Sequence, residues 1–356
     1  MPVCRLAPTK SSFPVLPSKE HSSSMSSSSS SQQLRARRPQ PPPLPEPLSL
    51  EIDGKAIIKY IDIKPASYTS STPTIALIHG SPGTYKDFRY LVPLLQKNAR
   101  VVALNLPGHA DSEVIDKANH FEHVSSTGAS RIAFEALGRI CKDAKNMFLV
   151  GHSFGGHTVT NLAAFNLKDA KLNIRGLVML NSAGHRPHHA LWPMTATVVI
   201  GIARTNLPVI SSAAESFVHM MYTKVVGFPN SGPPSHFMSA LVRSNTADYE
   251  LVNRQRKEVA HIPAFVAWAK NDPHIEEELS LRLSDEFHPG PRFAFDKGGH
   301  NIQKAQADVL AVEIMRWIEE IVTDNQAGVV AENAEYIVES EEQQSHESNR
   351  TWVSKM

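Results

Sequence analysis

Two kinds of apolar pattern alternate along the chain. Short runs in which nearly every position is apolar each end at a turn residue: TIALIHG at Gly80, RVVALNLPG at Gly108, NMFLVG at Gly151 and GLVMLN at Asn181, with AFVAWA at Ala269 a further such run. Runs this short and this apolar predict strands buried on both faces. Between them apolar residues recur at helical spacing, as in Ile132, Ala136, Leu137 and Ile140, or Leu310, Ile314, Trp317, Ile318 and Ile321. Those stripes predict helices with one face on a sheet. Ahead of the first buried run, LSLEI and AIIKYIDI alternate as a leading antiparallel pair would. Strand and helix in turn predict an α/β fold, a mostly parallel sheet with helices on both faces.

One region breaks the rhythm. Between Gly184 and Ile262 no strand is predicted, only apolar helical stretches, the segment HRPHHALW and the turn-rich FPNSGPPSH. A helical insertion over about residues 185–262, where strand ends meet, predicts a lid; a purely structural helical subdomain is the alternative. The run LWPMTATVVIGIA, Leu191 to Ala203, contains Pro193 and falls short of the roughly 18 apolar residues of a membrane span, so it reads as a buried or lid helix.

Composition breaks frame the rest. SSSMSSSSSSQQ and RPQPPPLPEP cannot bury apolar surface, so residues 1–47 are expected to form a disordered leader. After Thr323 the chain turns polar and acidic (Glu332, Glu335, Glu339, Glu341, Glu342), which predicts a solvated tail over 324–356. One domain of 48–323 remains, without internal repeats. A net charge of +1 points away from nucleic acid or a membrane surface and towards a small-molecule substrate. With only Cys4 and Cys141 no structural disulfide is expected, which suits a reducing, cytoplasmic setting. The basic, Ser-rich leader leaves a mitochondrial address as the alternative, although Pro2, Pro8, Pro14 and Pro17 oppose the amphipathic helix it would need.

The candidate chemistry sits at strand ends. GHSFGG, residues 151–156, follows the strand NMFLVG and precedes the helical GGHTVTNLAAFNL. That context holds a nucleophilic serine on a sharp turn, with Gly151 and Gly155 leaving room around Ser153. The Phe154 amide, at the helix N-terminus, is a candidate oxyanion donor. A serine hydroxyl needs a base and an orienting carboxylate. Asp272 follows AFVAWA, and His300, in FAFDKGGHNIQK, follows a last strand before the final helix, with Gly298 and Gly299 letting the loop carry His300 inward. Asn181 is not an acid, and Asp296 lies too close in sequence to His300 to reach over it. Ser81, in HGSPGT, is the candidate for the second oxyanion amide.

Other residues take plainer readings. His79 holds its loop by hydrogen bonds, and His152 packs. His185, His188 and His189 lack a Cys or carboxylate spaced to complete a metal site. Gly108, His109 and Asp111 form either a structural turn or a substrate contact. No Lys follows the glycines as in a phosphate loop, and no G-x-G-x-x-G is present, so no cofactor is expected.

HGSPGT, NLPGHADSE, GHSFGG, KNDPH and GGH, in this order over roughly residues 50–323, resemble the α/β hydrolase superfamily in its lid-bearing branch. HGSPGTYKDFRYL, LNSAGHRPHHALWP and AKNDPHIEEELS are more narrowly similar to a nematode family of α/β hydrolases whose physiological function is uncharacterised. The resemblance implies Ser153 as nucleophile, Asp272 as acid, His300 as base and the Ser81 and Phe154 amides as oxyanion hole. Epoxide hydrolases and haloalkane dehalogenases, which share a similar HG-x-P loop, place an aspartate at the turn where this chain has Ser153. The expected activity is hydrolysis of an ester, thioester or amide of a small to medium apolar acyl group, through an acyl-enzyme. The apolar preference rests on Leu191, Trp192, Phe217, Met220, Met221, Tyr222, Phe237 and Met238. Two alternatives stand beside it: a noncatalytic binding or scaffold protein, and a carbon–carbon hydrolase or lyase using the same three residues.

Overall fold

The computed structural model describes residues 40–324 apart from 190–192, 206, 231, 288 and 289. Most of the leader with Cys4, the tail beyond 324, and Leu191 and Trp192 lie outside the described residues. The chain enters through β1 (Leu48–Ile52) and β2 (Ala56–Ile63), an antiparallel pair with Leu48 opposite Tyr60. Next come β3 (Thr74–Ile78), α1 (Val92–Leu95), β4 (Arg100–Leu104), β5 (Glu113–Val114), α2 (His120–His123), α3 (Ser126–Ile140), β6 (Met147–His152), α4 (Gly155–Asp169) and β7 (Ile174–Leu180). An insertion of α5 (Pro193–Ala203), α6 (Pro208–Met220), α7 (Pro234–Asn245) and α8 (Tyr249–Glu258) follows. Then β8 (Ala264–Ala269), α9 (Glu277–Glu286), β9 (Arg292–Phe295), α10 (Ile302–Ala305) and a helix over 307–324 complete it.

The strands make one sheet in the order β1-β2-β4-β3-β6-β7-β8-β9, with β5 beside β2. From β4 to β9 all pairings are parallel. Each central strand feeds two cores because successive side chains point to opposite faces. Ala76 and Ile78 of β3 join one core with Ile132 and Leu137 of α3 and Leu162 of α4. Ile75 and Leu77 of the same strand join the other, with Val92 of α1 and Leu310, Ile314 and Trp317 of the last helix. The uninterrupted apolar runs follow from this two-sided burial. Leu44, inside the predicted leader, also packs against the second core, so ordered packing begins before residue 48.

Sheet order also places the site. After β3 the chain turns towards β4, whereas after β6 it turns to β7 on the other side. The crevice between two such strands, at their C-terminal ends, is where open α/β sheets bind ligands. The loops bearing Ser81 and Ser153 follow these two strands.

The insertion has two levels. Its lower level, α7 and α8, is tied to the body. Ser81 Oγ donates to the Ala240 carbonyl at 2.8 Å, the Ala110 amide to His236 Nδ1 at 3.0 Å, and the Ser126 amide to Thr246 Oγ1 at 2.9 Å. α5 and α6 rest on α7 through Ile200, Ala214, Val218, Phe237 and Val242. The segment read as a buried or lid helix buries Ala196, Ile200 and Ala203 but turns Met194, Val198 and Ile202 outward, with Met194 86% exposed. No helix among the described residues is long and apolar enough to cross a membrane. Two features had no sequence signal: β5, too short to alternate, and the π-helical turn Met221–Val226 that extends α6.

Candidate active site

Ser153 occupies the turn between β6 and α4 with φ +53°, a left-handed conformation that is costly for a residue with a Cβ. Close packing holds it there. A Cβ on Gly155 would lie 2.3 Å from the Ile78 carbonyl oxygen, and one on Gly151 would lie 2.6 Å from that of Gly155. The turn therefore presses against β3 at a distance only glycine permits.

Three distant side chains meet at this turn. His300 Nε2 accepts from Ser153 Oγ at 2.9 Å, and Nδ1 donates to the Asp272 carboxylate at 2.8 and 3.1 Å. This pairing fixes the tautomer, with the proton on Nδ1. Asp272 is all but buried, yet its pKa is held below the usual carboxylate value. Burial pushes it up, and the His300 bond together with the amides of His274 and Ile275 outweighs that push.

The backbone of His300 is held as firmly as its ring. Its carbonyl accepts from His152 Nε2 and from Asn181 Nδ2, both at 2.8 Å. Asn181 Nδ2 also donates to the Gly299 carbonyl, while its Oδ1 accepts from the Ala269 amide. Asn271 Oδ1 receives the amides of Gly298 and Gly299, and Gly299 takes φ +60°. Sequence reasoning set Asn181 aside for not being an acid and missed this role. Asp296, the competing acid, is engaged by Lys270 at 2.8 Å. His152 is buried beside His300, and burial lowers its pKa to about 3, so it stays a neutral donor.

The Ser81 and Phe154 amides have no protein acceptor among the described residues. His79 is buried and orders the Ser81 loop: Nδ1 donates to the Gly80 carbonyl at 2.8 Å and Nε2 accepts from the Leu106 amide at 3.0 Å. Burial lowers its pKa to about 3 as well. Of the LPGHADSE loop, Gly108 and His109 are structural, Gly108 lying against Ser239 and His109 bonded to the Pro107 carbonyl, whereas Asp111 reaches a cavity.

Two cavities meet at Ser81, Ser153, Phe228 and His300. One, of about 380 Å³, carries polar residues including Lys86, Asp87, Asp111, Asn301 and Lys304. The other, of about 350 Å³, runs under the insertion between Val199, Phe217, Val218, Tyr222, Val226 and Leu241. Phe228 stands at the junction, stacked on His274, whose ring meets His300 edge-on. Of the apolar residues expected here, Phe217, Met221 and Tyr222 line the second cavity. Met220 is exposed, while Phe237 and Met238 are buried in the insertion's own core. His188 lines the same cavity, its pKa lowered to about 4 by burial, and His189 pairs with Glu276. Among the described residues no group of three His, Cys, Asp or Glu is placed to hold a metal.

A profile of the family described as "Alpha/beta hydrolase of unknown function (DUF1057)" matches residues 53–326. The uncharacterised protein F35H12.5 of Caenorhabditis elegans is 26% identical over 239 residues, 65% of this chain and 66% of that protein, just under two thirds of its length. Among solved structures, a lipase-esterase related protein from Clostridium acetobutylicum superposes with TM-score 0.53 at 19% identity, covering 73% of this chain and 99% of its own. The enol-lactonase from Burkholderia xenovorans superposes with TM-score 0.57 at 16% identity, covering 76% and 100%. Identities this low speak for the fold alone. The family profile spans far more than half the sequence, and this chain belongs to the alpha/beta hydrolase family of unknown function that it describes.

Proposed function

We propose that this chain is a cofactor-independent serine hydrolase that cleaves an ester, thioester or amide of a small to medium apolar acyl group. The observation that carries the reading is the unbroken hydrogen-bonded line from Ser153 Oγ through His300 to Asp272. Ser153 Oγ attacks the acyl carbonyl as its proton passes to His300 Nε2, and Asp272 stabilises the imidazolium that results. The Ser81 and Phe154 amides receive the tetrahedral oxyanion. On collapse the bond to the leaving group breaks, the leaving group takes the proton from His300, and an acyl ester remains on Ser153. Water, deprotonated by His300, then attacks that ester; the Ser153–acyl bond breaks, Ser153 Oγ takes the proton back from His300, and the acid is released.

The apolar cavity under the insertion takes the acyl chain, and the polar one takes the leaving group. α5, α6 and the turn 221–226 act as the lid, with α7 as its fixed base. A fluorophosphonate probe tests the reading, because it labels only a serine whose hydroxyl is activated. Wild type is expected to label and to hydrolyse short acyl esters, and Ser153→Ala to do neither. Undiminished labelling of Ser153→Ala would remove the assignment.

A further inference from the structure

Arg243, on α7, buries a full positive charge without a counter-ion. Its side chain is 0% exposed, and among the described residues no carboxylate pairs with it. Its bonds run to neutral groups instead. Nη1 donates to the Gly80 carbonyl at 2.8 Å and the His79 carbonyl at 3.3 Å. Nη2 donates to Thr158 Oγ1 at 2.9 Å and to the His79 and Phe154 carbonyls at 3.3 Å each. Burial lowers its pKa to about 9, which still leaves it charged at neutral pH. An unpaired buried cation is costly, and a packed apolar side chain in its place would ordinarily be no less stable. Stability alone is therefore a poor account of this residue.

The contacts suggest another. Gly80 C=O and Ser81 N–H belong to one planar peptide and point in opposite directions. Arg243 Nη1 and His79 Nδ1 both hold that carbonyl at 2.8 Å, and holding it there turns the amide the other way, on the loop whose Ser81 lines both cavities. A cation on the carbonyl also draws electron density through the peptide and makes the amide a stronger donor. Phe154, the other candidate donor, is gripped through its own carbonyl by the same guanidinium. We propose that Arg243 is a positioning residue of the oxyanion hole, an insertion-borne cation that orients and polarises the Ser81 peptide and locks the Phe154 turn beside it. This rests on the hydrolase reading above. It also makes the hole depend on the seat of α7, which the Ser81 Oγ bond to Ala240 reinforces.

The test uses the full chain with p-nitrophenyl butyrate as substrate. Two inhibitors accompany it: an alkyl trifluoromethyl ketone, which adds to Ser153 as a hemiketal oxyanion, and the matching secondary alcohol, which fills the site without one. Arg243→Met is expected to lower kcat about 30-fold or more, with KM changed less than about 3-fold. Ketone affinity should fall in parallel with kcat and alcohol affinity should hold, while Arg243→Lys should recover part of both losses. A merely structural arginine would move alcohol and ketone together. A folded Arg243→Met with wild-type kcat, or with ketone affinity intact, overturns the proposal. Should that variant not fold, Arg243→Gln takes its place, and failure of both neutral variants to fold assigns the residue to stability and overturns the proposal too. Absence of Ser153-dependent turnover in wild type would instead sink the hydrolase reading itself.

Discussion

The side-chain amide of Asn181 donates to the backbone carbonyl of His300 at 2.8 Å, so the imidazole is placed by a residue just past β7 whose own side-chain bonds go to the Gly299 and His300 carbonyls and the Ala269 amide. Asn181 sits at φ +42°, a conformation asparagine tolerates better than most residues. Asn181→Asp would keep the bond from the Ala269 amide but set a carboxylate oxygen against two carbonyls. The Gly299 carbonyl would lose its donor, at a cost of about 1–3 kcal/mol, and the His300 carbonyl would keep only the His152 Nε2 bond. The histidine loop should shift, and kcat should fall about 10- to 100-fold with a lowered Tm. Steady-state kinetics with thermal denaturation checks this, and a variant at wild-type kcat would show that the loop is fixed without Asn181.

Asp272→Asn separates charge from shape. The new side chain can still accept the His274 and Ile275 amides through its oxygen, so the loop should persist. Its NH₂ would then face His300 Nδ1, donor against donor, and favour the tautomer that cannot take a proton from Ser153. We expect kcat to drop about 10⁴-fold with KM and Tm nearly unchanged. A loss of less than about tenfold would mean that some other group orients His300.

The meeting of Ser153, Asp272 and His300 was legible in the sequence because each lies on a loop just past the C-terminal end of a strand, and the strands before Ser153 and Asp272 are conspicuous runs apolar on both faces. The supporting residues were not. Asn181 acts on carbonyls 118 and 119 positions away, and local pattern carries no trace of that pairing. Nothing in the sequence singles out Arg243; its bonds appear only when α7 is seen to lie against two loops at once. The same limit explains Phe237 and Met238. Apolar character placed them among the insertion residues expected to meet an acyl chain, but only the packing of α5 and α6 decides which apolar residues face a cavity and which face each other.

The apolar cavity sets an acyl-length prediction. Each methylene moved from water into it contributes about 0.8 kcal/mol, a factor of about four. Across p-nitrophenyl esters kcat/KM should therefore climb with chain length until the roughly 350 Å³ is filled. Val199, on α5, lines the cavity away from the relay. Val199→Trp should bring the optimum to shorter chains, cutting octanoyl over acetyl preference about tenfold or more and leaving acetyl turnover within about threefold. An unchanged length profile would place the acyl chain elsewhere.

Acid should unfold this protein early, with three buried histidines as the cause. His79, His152 and His157 are all buried, and burial lowers each pKa to about 3, against 6.5 in an exposed chain. Between those values the unfolded chain binds protons that the folded one refuses, so stability falls as pH drops. At pH 5 each histidine forfeits about 2 kcal/mol, which for three approaches the whole stability of an ordinary domain. Asp272 acts in the same sense, but its lowered pKa matters only below the usual carboxylate value, and so outside this window. Urea unfolding at pH 7, 6 and 5 should show a midpoint that collapses towards pH 5. His157→Gln should flatten the slope by about 1.4 kcal/mol per pH unit while weakening the fold at pH 7, where His157 Nε2 donates to the Gly184 carbonyl. A midpoint that stays level from pH 7 to 5 would mean that these rings accept protons without opening the structure.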